Sequence, residues 1–284
     1  MMWTRRGKWR AAAMYVALVA LAWFTLAPFA WMLCTSLLPE GSPLPTAGDL
    51  LAALRQPHIE NYRYVATFPE LPVLRFAFNS VVTAVGVVML QLVLCTTAGY
   101  AFARLRFPGR DVLFAVFLLT MMIPSQAMIV PLFVVVRKLG WLNTYAGLII
   151  PFPYLSTAFG TFLLRQFFVT IPRSLDDAAC IDGCSHWGVF RHVILPSSRP
   201  ALATIAAFAF IWTWTEFYWP LLATSSVDMR TLEVGLSVFK HAYGMTNWPL
   251  QMTAALIVLI PVLLIFLLLQ RYFVRGVVMS GLKA

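Results

Sequence analysis

Six stretches of this sequence are long and apolar enough to cross a lipid bilayer: about residues 11–36, 73–103, 112–136, 144–168, 201–224 and 251–273. Each reaches the ~20 residues that a hydrocarbon core demands of a helix. Lipid offers no partner to a backbone N–H or C=O, so runs of this length and composition fold as helices. The composition agrees, with 61% apolar and 11% charged residues. Soluble domains carry about 45–50% and 25%. Mean hydropathy is +0.80. The sequence therefore predicts an all-α integral membrane protein, a single transmembrane domain over residues 1–284 with six spans.

Basic residues orient the spans. Arg5, Arg6, Lys8 and Arg10 precede the first run with no acid among them. That run is too long for the core of a signal peptide and no small-residue cleavage site ends it, so it reads as a retained span with a cytoplasmic N-terminus. Alternation then puts the C-terminus in the cytoplasm. Inside segments hold fourteen of the 21 Lys and Arg, outside segments seven, which agrees with the positive-inside tendency although Arg137 and Lys138 run against it. Residues 37–72, rich in proline and with a short helix near 59–68, form one external loop and residues 225–250 another.

The formal charge of +10 does not indicate nucleic acid, because the basic residues lie scattered between apolar runs. Cys34 and Cys95 sit in apolar runs as small buried thiols. Cys180 and Cys184 lie one helical turn apart near His186, but a zinc site needs four ligands, and no metal is assigned.

Prolines interrupt two spans: Pro124 and Pro131 the third, Pro151 and Pro153 the fourth. Broken membrane helices line pathways in some proteins and are packing kinks in others; the sequence leaves both open. Polar residues within the spans are few, and the candidate solute-pathway set is Asn79, Gln126, Trp212, Glu216 and Tyr218. A carboxylate in a span is costly and marks a pathway or a partner by default. Aromatic faces around one acceptor suit a sugar ring. Trp and Tyr also mark the membrane interface, and Glu216 stands about eight residues from the end of its run, so an interfacial or structural role is preferred.

The polar loop 169–200 contains SLDDAACIDGCSHWGVFRHVILPSSRP. Ser174 and Asp177 have capping-box spacing, [ST]-x-x-[DE]. Gly183 is placed to end the first helix in a left-handed conformation. Ser185 can cap a second helix, which Pro196 is expected to terminate. Trp187, Phe190 and Ile194 would form one apolar stripe on it. The expected product is a stiff, exposed elbow of two short helices.

DDAACIDGCSHWGVFRHVILP resembles the EAA motif of ATP-binding-cassette importer permeases. Asp177-Ala178-Ala179, Gly183 and Val193-Ile194-Leu195-Pro196 stand in its register, with Asp177 for Glu and Val193 for Ile. YAFARLRFPGRDVLF, MMIPSQAMIVPLF, LGWLNTYAGLIIP, PALATIAAFAFIWTWTEFYWPL and QRYFVRG extend the likeness to maltose-type sugar permeases, specifically the second permease subunit. The tail VVMSGLKA departs from it.

The resemblance implies the type I importer permease fold. It also implies a coupling elbow made by Asp177, Ala178, Ala179, Asp182 and Gly183, with Leu195 and Pro196 fixing its exit. The implied partners are a second permease subunit, two ATPase subunits that carry ATP–Mg, an extracytoplasmic solute-binding protein and the bilayer of a prokaryotic cytoplasmic membrane. This chain would bind no cofactor itself. It has no G-x-x-x-x-G-K-[ST], so it has no P-loop for ATP, and no nucleophile–base set for an enzyme. The rival reading is an ion-coupled secondary transporter, which would show repeated halves and several ionisable groups within spans.

Overall fold

A computed structural model describes residues 5–68, 71–237 and 247–281, and every regular element among them is helical. The chain divides into two compact units, one of residues 1–70 with 236–259 and one of residues 71–235 with 260–284. Residues 238–246 of the second loop expected to be external, including Lys240, and the end of the tail with Lys283 lie outside the described residues.

The first unit contains α1 (Arg5–Ser36), α2 (Ala47–Arg55) and α3 (Glu60–Ala66), the last at the position expected for a short helix. The sequence reading missed α2, although its signal is present. The Thr46 N–H and hydroxyl both donate to Asp49, at 2.8 and 2.6 Å, and hold that carboxyl below its ordinary range. Asn61 pins the chain between α1 and α3, donating 2.8 Å bonds to the carbonyls of Ser36 and Leu38.

The second unit is built around α4 (Val73–Arg104), an unbroken helix of 32 residues against which α8 and α12 pack. Its elements continue as α5 (Arg110–Leu119), α6 (Ser125–Lys138), α7 (Tyr145–Ile149), α8 (Thr157–Thr170), α9 (Arg173–Ile181), α10 (His186–Val189), α11 (Leu195–Ser197), α12 (Arg199–Trp214) and α13 (Tyr218–Ala223). Next come α14 (Leu232–Leu236) and α15 (Trp248–Gly281); the division between the units falls within α15.

Among the described residues, Ala11–Ser36, Val73–Arg104 and Trp248–Leu268 are long and apolar enough to span alone. Two bent pairs raise the number of candidate spans to between three and five. The third, fourth and fifth apolar runs, read as single crossings, are not single rods. In the third, α5 and α6 meet at 97°. Pro124 makes that break: Ile123 before it is extended, and α6 starts immediately after it. Pro131 lies inside α6 and does not end it. In the fourth, Pro151 and Pro153 flank and enter a 3₁₀ turn, Phe152–Leu155, between α7 and α8. The fifth opens between α12 and α13, around Glu216.

Candidate functional site

The elbow begins where α8 ends. Pro172 takes the N-cap position of α9, so Ser174 falls inside the helix and the expected Ser174–Asp177 capping box does not form. The reason is local. The buried Ile171 and the fixed φ of Pro172 start the helix at Arg173, two residues before a helix capped by Ser174 would begin.

The end of α9 follows the expectation. Gly183 has φ +89°. Its N–H donates to Cys180 O at 3.0 Å and the Cys184 N–H donates to Ala179 O at 2.9 Å, the paired bonds of a Schellman motif. Ser185 then accepts from the Gly188 N–H at 3.3 Å and caps α10.

Pro196 does not terminate the second helix. The chain passes through a π-helical turn, Phe190–Ile194, into α11 and stays helical through Ser197. A wide turn just before a proline relieves the clash with the carbonyl four residues back and re-partners it. The expected stripe is also divided. Phe190 and Ile194 are buried, but Trp187 is 63% exposed, with its ring 5.1 Å from that of Phe190. The core against which the stripe packs ends at Val189 and Phe190, and Trp187 projects beyond it.

Asp177, Ala178, Asp182, Gly183 and Pro196 are exposed, Leu195 is half-buried and Ala179 faces the core. Sequence reasoning passed over Ile181, which is 87% exposed at the tip. Sequence reasoning also passed over Asp176 as an anchor. Its carboxylate lies 3.3 Å from Arg104 Nε at the end of α4. The signal was an arginine beside the tight RFPG turn and an acid in the first turn of α9, but nothing in the sequence pairs them.

A cavity of about 370 Å³ opens among α6, the Phe152–Leu155 turn and α13. It gathers three of the five proposed pathway residues, Gln126, Glu216 and Tyr218, together with Ser125, Ile129, Leu132, Phe152 and Trp219. Glu216 is also structural: its carboxylate accepts from the Trp219 N–H at 3.1 Å in the first turn of α13. Trp219 is fixed in turn by its indole N–H, which donates to Gly147 O at 3.0 Å.

The other two residues do not line this cavity. Trp212 stacks on Phe208 at 5.7 Å. Asn79 is fully buried: its Nδ2 donates to Asp228 O and Arg230 O at 2.7 and 2.9 Å, and its Oδ1 accepts from the Tyr145 hydroxyl at 2.7 Å. Asn79→Leu should therefore cost about 2–3 kcal/mol of stability by orphaning those partners. Thermal unfolding in detergent should show that loss, with solute half-saturation unchanged.

The family described as "Binding-protein-dependent transport system inner membrane component" matches residues 92–279, which include the whole elbow and the cavity. The chain is 34% identical over 225 residues to the arabinooligosaccharides transport system permease protein AraQ of Halalkalibacterium halodurans, covering 79% of each chain. It is 35% identical over 226 residues to the sn-glycerol-3-phosphate transport system permease protein UgpE of Brucella abortus, covering 78% of this chain and 79% of that one. In fold it is similar to a solved bacterial ABC transporter involved in import of the acidic polysaccharide alginate. That match has a TM-score of 0.77 and 23% identity, and covers 96% of this chain and 99% of the other.

Proposed function

The chain belongs to the family of binding-protein-dependent transport system inner membrane components, as a multi-pass membrane permease, and from that premise we propose the rest of its function. It is one of two permease subunits of an ATP-driven importer. An extracytoplasmic binding protein delivers the solute, and two ATPase subunits holding ATP–Mg drive the elbow. Six crossings with both termini in the cytoplasm of a prokaryote follow if each proline-broken run counts as one passage.

One observation carries the reading: an exposed elbow, Asp177 to Gly183, closed by a glycine turn and followed by the Ser185 cap, stands on the same helical unit as a cavity lined by apolar and aromatic side chains with a few polar groups. A force applied by a soluble partner at the elbow has a rigid body to act upon.

The solute is a carbohydrate. Tyr218 offers an exposed aromatic ring beside the buried edges of Trp219 and Phe152, and Ser125, Gln126 and Glu216 offer hydrogen bonds, a composition that suits a sugar. Among the described residues, Glu216 is the one charged group lining the cavity. A phosphate or uronate there would meet a carboxylate of like charge, so a neutral oligosaccharide fits better than an anion.

Uptake by proteoliposomes holding the whole complex should require ATP inside and binding protein outside. Uptake that follows a proton or sodium gradient and ignores ATP would overturn the proposal. Glu216→Gln keeps an oxygen to accept from Trp219 but removes the charge. It should raise half-saturation by the loaded binding protein about tenfold, the worth of one charge-assisted bond to solute. An unchanged concentration dependence would leave Glu216 with its capping role alone.

A further inference from the structure

Arg104, the last residue of α4, reaches into the elbow. Its Nη2 donates to Ile171 O at 2.7 Å, and its Nε lies 3.3 Å from Asp176 on α9. The two side chains are 5% and 19% exposed. One turn earlier on α4, the Tyr100 hydroxyl donates to His186 O on α10 at 3.0 Å, and its ring packs 5.0 Å from that of Phe190. Both helices of the elbow are thus held by the same end of the same helix.

Further along α4, Gln91 accepts from the Ser156 hydroxyl at 2.6 Å, immediately after the 3₁₀ turn that contributes Phe152 to the cavity. A continuous helix of 32 residues connects these contacts.

We infer that the Arg104–Asp176 pair, seconded by Tyr100, is the clamp through which a displacement of the elbow is passed to α4 and on to the cavity wall. The inference rests on the importer reading above. These are positioning residues; none touches solute or nucleotide.

The form of the pair suits a moving joint. Arg104 Nε and Asp176 Oδ1 are buried and make no hydrogen bond, so the pair is held by charge and not by an aligned hydrogen bond. Hydrogen bonds weaken steeply with misalignment. Coulomb attraction falls only as the inverse of distance and is indifferent to angle, and burial reduces its screening. Such a pair stays engaged while the elbow tilts.

The test compares ATP hydrolysed with solute taken up, in proteoliposomes containing equal amounts of assembled complex. Arg104→Gln should raise the ATP used per solute about tenfold, within the usual span of coupling between sites. The double variant Arg104→Asp with Asp176→Arg should return the ratio toward wild type. Should Arg104→Gln fail to assemble, Tyr100→Phe decides, since it keeps the ring packing and removes one bond; it should raise the ratio roughly threefold. A ratio equal to wild type in the assembled variants, even with both activities lowered, would make the pair merely structural and overturn the clamp. Wild-type vesicles showing no ATP-dependent uptake would overturn the importer reading, and the clamp with it.

Discussion

Replacing Gly183 with proline should abolish ATP-driven uptake while leaving the chain inserted in the membrane. Gly183 sits at φ +89°, in the left-handed region, and its N–H closes the end of α9 on Cys180 O. Proline fixes φ near about −65° and has no N–H, so the elbow cannot close in its present form. The fault is one of backbone conformation and not of crowding, because nothing lies within 4 Å of the position a Cβ would take. The segments on either side stay anchored in the core by Ala179 before the turn and by Val189, Phe190 and Ile194 after it. Gly183→Ala gives the graded control: it fits the space and must bear the roughly 1–2 kcal/mol of a left-handed L-residue. Uptake should therefore fall partially in Gly183→Ala and at least ~100-fold in Gly183→Pro, with equal amounts of both variants in the membrane fraction. Normal uptake by Gly183→Pro would remove the elbow from the mechanism.

Gly147→Ala should do the opposite, damaging the fold without touching the elbow. Gly147 is buried in α7. An added Cβ would drive into the Trp141 carbonyl, with its carbon at 3.1 Å and its oxygen nearer, and would press Val136 at 3.4 Å. Backbone cannot swing away as a side chain can. The Gly147 carbonyl also receives the Trp219 indole N–H, so any shift of α7 moves a cavity-lining ring. The substitution should cost roughly 3 kcal/mol, the upper range for overpacking a filled core. A clear drop in the unfolding midpoint of the detergent-purified complex would show it. A midpoint equal to wild type would mean that α7 yields easily.

Two identical capping patterns show where sequence reading stops. Thr46-x-x-Asp49 forms its cap, and Ser174-x-x-Asp177 does not. The difference lies in the residue before each helix. Pro172, anchored by its buried neighbour Ile171, starts α9 early and takes Ser174 into the helix. Pro196 repeats the lesson. Local rules predict a stop, and a π turn carries the helix through. At Gly183 the local rule prevails, since no tertiary contact competes at an exposed turn.

The candidate pathway residues divide on the same principle. Gln126, Glu216 and Tyr218 come together because Pro124, the 3₁₀ turn at Phe152 and the break at Glu216 open one region of the unit. Asn79 has the same composition signal, a polar residue in a span, yet it spends its amide on two carbonyls and a tyrosine hydroxyl. Whether a buried amide faces a solute or its own backbone depends on partners about 150 positions away, and no local pattern encodes that.

Residue order was enough for a helical membrane protein and for an exposed polar elbow with its glycine turn and acids. Both follow from short-range physics: lipid forces apolar runs into helices, and φ preferences place turns. Only the folded chain shows that apolar runs bend around a cavity, that Asp176 meets Arg104 from 72 positions away, and that α4 bonds both to the elbow and to Ser156 beside the Phe152 turn. Those contacts are made by packing between distant segments, which a periodicity or a motif cannot report.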